Sequence, residues 1–128
     1  MSFSFCRSNY FHVKDHNEFV KAIFHVPDVK IVQCDLGVAL FSERPGRSSW
    51  PDLDYEGYSI DIDQVVFPHL VEGSVAIFME ISSSRSLDHI CGSATVINSK
   101  GEKRNTCLSE IYGHARELTD EEFSEVQR

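Results

Sequence analysis

The chain has no apolar run approaching the roughly 20 residues that a bilayer-spanning helix needs, and its four cysteines, Cys6, Cys34, Cys91 and Cys107, form no CxxC pair. The first absence argues against a membrane-spanning helix. The second removes the compact zinc-finger and thioredoxin-type motifs. The opening MSFSFCRSNYF also lacks a basic segment followed by a long apolar one, so no secretory signal is read there, and reduced thiols in a cytosolic protein are the simplest reading. GxSxG, a phosphate-cradling glycine loop and HExxH are all missing, and with them every local catalytic or cofactor signature. A nucleophile whose base comes from a distant segment stays open on sequence grounds. Basic charge is short as well: the formal net charge is −8, which makes direct binding of nucleic acid or anionic membrane a poor fit to the main role.

The deficit is concentrated. Residues 49–80 contain no lysine or arginine and seven acids, whereas residues 1–48 sum to +1 and residues 81–128 to −2. Within this quarter the stretch WPDLDYEGYSIDID alternates carboxylates (Asp52, Asp54, Glu56, then Asp61, Asp63) with Leu53, Tyr55, Tyr58, Ile60 and Ile62. A period of two reads as one or two strands with an apolar face and a carboxylate face, the phase slipping near Gly57 at a bulge or turn. Successive carboxylates on such a face stand about 6.5–7 Å apart. Solvation of an exposed strand accounts for such a pattern. So does a docking surface for a basic macromolecule, with Trp50, Tyr55 and Tyr58 as aromatic anchors. Trp50, at the junction, also suits the core.

At 128 residues, 41% hydrophobic and 25% charged, residues 1–128 are expected to form a single α+β domain around one core. Asn9–Lys14 reads as a first strand, and Asp15 with Glu18 as the cap of a helix with Phe19, Val20, Ile23 and Phe24 on one stripe, ended at Pro27. Val29–Cys34 and Val38–Ser42 make a hairpin through Asp35-Leu36-Gly37, and Glu43–Pro51 is a loop. Gln64–Glu72 is helical around Pro68, and Val75–Ile81 is the central strand. His89–Asn98 and Glu102–Cys107 are further strands, the second at an edge. Ser109 caps a helix carrying Leu108, Ile111, Tyr112, Ala115 and Leu118, and Thr119–Glu122 opens a short terminal one with Phe123 and Val126. The sum is a mostly antiparallel sheet of about five or six strands with two or three helices packed on it.

His89, Cys91, Cys107 and His114 are the one set with ligand chemistry. His89 and Cys91 share a strand face, but the spacing to the other two matches no compact finger, so no metal and no cofactor are expected. A small zinc- or cysteine-dependent enzyme built on this set is the alternative to a binding role.

Ser8–Asp15 (SNYFHVKD), Trp50-Pro51, Val75–Glu80 (VAIFME), Val96–Glu102 (VINSKGE) and Leu108–Tyr112 (LSEIY) resemble segments of small acidic proteins carried by phages and other mobile elements. The resemblance is to the anti-CRISPR and antirestriction kind, and it supplies no functional residue. It implies an accessory protein that acts against bacterial defence in the cytoplasm of the host, and with the acidic face the expectation is a non-enzymatic inhibitor; an exposed apolar face at the edge of the sheet leaves monomer and homodimer both open. Its partner would be a basic nucleic-acid-binding protein or nuclease complex, occupied by nucleic-acid mimicry. An immunity protein for a basic nuclease toxin needs the same acidic surface.

Overall fold

In the computed structural model, residues 2–43, 50–84 and 90–124 are described, the side chains of residues 2–4, Tyr55 and Ser84 excepted. The chain opens with β1 (Ser2–Ser8), not with a strand over Asn9–Lys14. Serine and phenylalanine alternate in SFSF with the strand period, and Asn9 ends the pairing with side-chain bonds. Its Oδ1 accepts from Ile77 N at 2.8 Å and its Nδ2 donates to Val75 O at 3.1 Å. The segment beyond it makes only isolated bridges, Phe11 to Val38 and Val13 to Leu70.

Helix α1 (His16–Phe24) starts as expected, Asp15 accepting from Glu18 N at 3.1 Å. Phe19 and Ile23 are buried, while Phe24 is 82% exposed. β2 (Lys30–Cys34) and β3 (Gly37–Glu43) form the hairpin, and residues 44–49 of the loop that follows lie outside the described residues. A second, separate hairpin follows, of β4 (Leu53–Tyr55) and β5 (Tyr58–Ile60). The alternation then ends in a helix and not in more strand. Asp61 is the N-cap of α2 (Ile62–Val66), which runs into a 3-10 turn at Phe67–His69. Pro68 in that turn explains why the helix is short, since it cannot donate to a longer one.

β6 (Val75–Ser84) and β7 (Ile90–Asn98) are the longest strands, and β8 (Lys103–Cys107) is an edge. The order is β2-β3-β1-β6-β7-β8, with every neighbouring pair antiparallel. After β8 a 3-10 turn (Leu108–Glu110) precedes α3 (Ile111–Leu118). Glu110 accepts from Cys107 N at 3.3 Å and so supplies the capping expected of Ser109. The terminal helix over Thr119–Val126 is not formed by residues 119–124; Thr119 Oγ1 instead accepts from Glu121 N. Val126 lies outside the described residues. Among the described residues no helix is long and apolar enough to cross a membrane.

The core lies on one face of the sheet. Val38, Leu40, Phe78 and Ile97 point from the strands to meet Phe11, Phe19, Ile23, Val66 and Leu70. Phe11 and Phe19 meet edge to face, 5.7 Å between centroids, a geometry that adds to the burial itself.

Of the four described glycines at positive φ, Gly37 and Gly57 lie at the hairpin turns, with different surroundings. A Cβ on Gly37 (φ +123°) would collide with the Phe11 carbonyl, while one on Gly57 (φ +84°) meets nothing within 4 Å. Gly37→Ala is therefore expected to destabilise by at least about 2 kcal/mol and Gly57→Ala by about 1. Urea unfolding of the two variants tests the difference, and equal losses would refute the role given to the Phe11 contact.

Candidate acidic docking site

The hairpin β4–β5 gives the acidic stretch its shape. Glu56 (φ +49°) and Gly57 (φ +84°) make its two-residue turn, the left-handed pair that matches strand twist. Leu53 lies opposite Ile60, and Asp54 opposite Ser59. Leu53 packs against the core, so the alternating side carries Asp52, Asp54 and Ser59 outward. Ser59 Oγ donates to Asp52 Oδ2 at 2.8 Å. One further step of the register sets Asp52 against Asp61, and both line the same cleft. Asp52, Asp54, Glu56 and Asp61 are all exposed, and Tyr58 beside the turn is 74% exposed. The side chain of Tyr55 lies outside the described residues.

Two of the expected contact residues belong to the frame instead. Trp50 is 8% exposed and meets Phe78 edge to face, 5.3 Å between centroids. Its backbone N–H donates to Glu80 Oε2 at 3.0 Å, and Ser93 Oγ donates to Glu80 Oε1 at 2.8 Å. Trp50 is thus the bolt between hairpin and sheet, not an exposed anchor. Asp63 departs from its expected place on an exposed strand. It is 6% exposed, on α2, and Lys103 Nζ from β8 donates to its Oδ2 at 3.1 Å. The sequence offered no cation nearby, because the partner stands 40 residues away. Two of the seven acids of residues 49–80, Asp63 and Glu80, are therefore held in structural bonds. Glu72 lies beyond Leu70, outside the cleft.

Between the hairpin base and the sheet is a polar cleft of about 350 Å³, walled by Asp52, Asp61, Asp63, Glu80, Ser93, Thr95, Lys103 and Asn105 with Trp50 behind. Thr95 and Asn105, missed in the sequence, are bonded to each other at 2.7 Å. Only strand register brings them there, and no residue pattern signals it. Among the described residues no lysine or arginine pairs with Asp52, Asp54, Glu56 or Asp61. Among the described residues the hairpin is thus a small negative surface without an ion-pair partner.

Cys91 and Cys107 lie on β7 and β8, where Cys91 Sγ is 2.7 Å from Ser82 Oγ and Cys107 Sγ is 2.9 Å from Ser109 Oγ. His89 lies outside the described residues, and among those described no group of three or more ligating side chains converges on a metal position. Compared with protein-family models, with curated proteins and with solved structures, the chain matches none. Its functional reading accordingly rests on surface chemistry.

Lys103→Met strands the buried Asp63 carboxylate and is expected to destabilise by about 1–3 kcal/mol. Adding Asp63→Asn to it should recover most of that loss. Urea titrations of the single and double variants measure the coupling; additive losses would mean the pair is not coupled.

Proposed function

We propose that this chain is a non-enzymatic, protein-binding inhibitor whose acidic hairpin docks on a basic, nucleic-acid-handling surface of a bacterial defence complex, in the manner of anti-CRISPR and antirestriction proteins. The observation that carries the reading is the group of four exposed carboxylates, Asp52, Asp54, Glu56 and Asp61, on one short hairpin and unpaired with any described cation. Opposite potentials speed encounter and orient it. Tyr58, at 74% exposure, is the aromatic side chain suited to anchoring the complex once formed.

Spacing sets the extent of the mimicry. Carboxylates two residues apart on a strand are about 6.5–7 Å apart, about twice the 3.4 Å axial rise between phosphates of one DNA strand. The hairpin therefore carries its few charges at a lower density along its length than a duplex does. It would compete for a few basic residues that guide a strand. The working place of such a protein is the cytoplasm of the bacterial host, where defence nucleases act.

The test is phage plaquing on bacteria carrying an active CRISPR nuclease or an active restriction nuclease, with and without this chain. Restored plaquing in either host is the expected outcome, lost again in the triple variant Asp52→Asn, Asp54→Asn, Glu56→Gln at an unchanged urea midpoint. A wild-type chain without effect in both hosts overturns the reading. Full protection by the triple variant overturns the acidic mechanism.

A further inference from the structure

We propose that the chain forms a two-fold dimer in which α3 of each copy lies across the open face of the other copy's sheet. The face opposite the core is apolar where an exposed sheet is ordinarily polar. On it, Phe5 stands opposite Ile81, and Arg7 stands opposite Met79 on one side and Phe41 on the other. Phe5, Met79 and Ile81 are 52%, 52% and 54% exposed and, with Phe41, line an open trough of about 590 Å³. Among the described residues no helix of the same copy covers it.

The same chain carries the matching convex element. Leu108, Ile111, Ala115 and Leu118 recur at helical spacing on one stripe of α3 and the turn before it. Leu108, Ile111 and Leu118 are 55%, 59% and 88% exposed, and no residue of α3 is buried. Leu108 touches its own sheet, lying within 3.2 Å of where a Cβ on Gly92 would sit. The helix thus leaves its own sheet next to the trough without filling it.

Size and area fit a second copy. An eight-residue helix is about 12 Å long, and the three strands β3, β1 and β6 span about 10 Å. The six large side chains of the trough and stripe that are half-exposed or more, Phe5, Met79, Ile81, Leu108, Ile111 and Leu118, at roughly 100 Å² each amount to about 600 Å² per copy, or about 1,200 Å² in all, the lower end of the standard interface size. The trough presents Arg7, its guanidinium 4.8 Å from the Phe41 ring centroid, and Lys30 beside Asp28 and Glu43. Residues 111–124 bring Glu117, Asp120, Glu121 and Glu122 together with Arg116. A two-fold axis uses each surface twice and leaves neither open.

Sedimentation velocity of the full chain tests this, up to about 200 µM. The expected species has twice the 14.6 kDa chain mass. The sheet variant Met79→Lys/Ile81→Lys and the helix variant Ile111→Glu/Leu118→Glu change exposed side chains. Each is expected to weaken the dimer about 100-fold or more while keeping its circular dichroism spectrum. An equimolar mixture of the two should dimerise more tightly than either alone, since one intact helix then meets one intact trough. A monomeric wild-type chain overturns the proposal, as does a helix variant that dimerises like wild type or a mixture without rescue.

Discussion

The alternation of β6 is the constraint on which the other parts depend. Once this strand is paired on both sides, its successive side chains must point to opposite faces. Ala76, Phe78, Glu80 and Ser82 face the helices, and Val75, Ile77, Met79 and Ile81 face away. Phe78 supplies the ring on which Trp50 packs, and Glu80 supplies both oxygens that hold the Trp50 backbone and Ser93. The acidic hairpin follows directly from Trp50, so the position of the carboxylates is set by two side chains of one strand. The same alternation puts Met79 and Ile81 on the open face.

The acidic residues divide by where the chain places them. Asp63 and Glu80 face inward and are fully engaged, with Lys103 and with Trp50 and Ser93. Their work is to hold α2, β8 and the hairpin in register. Asp52, Asp54, Glu56 and Asp61 remain in water, where carboxylates keep their hydration and contribute a long-range field at little cost to folding. A surface of that kind favours a charged partner without depending on burial. The open apolar face favours a dry interface. The two surfaces lie on different sides of the protein, so a dimer through one leaves the other accessible.

The helices show how uneven the local signals were. Asp15, Glu18, Phe19 and Ile23 made α1 legible because cap and stripe lie within one short segment. Asn9–Lys14 misled because its aromatic and β-branched residues suit a strand, while the Asn9 side chain takes the backbone bonds that would have continued one. In α3 the apolar spacing specified a helix correctly but not its partner, since an amphipathic stripe signals only that a cover is wanted.

What the sequence by itself determined was the α+β class, helix α1, the hairpin of β2 and β3, the central place of Val75–Ile81, and an alternating acidic stretch whose phase slips near Gly57. Each rests on neighbours within a few residues, through period, caps and left-handed turn positions. Only the tertiary structure decided that Trp50 is buried against Phe78, that Asp63 is neutralised by Lys103, and that Phe5, Phe41, Met79 and Ile81 form one open face. Those pairings join residues tens of positions apart, and their partners are chosen by strand order and register, which no local pattern records.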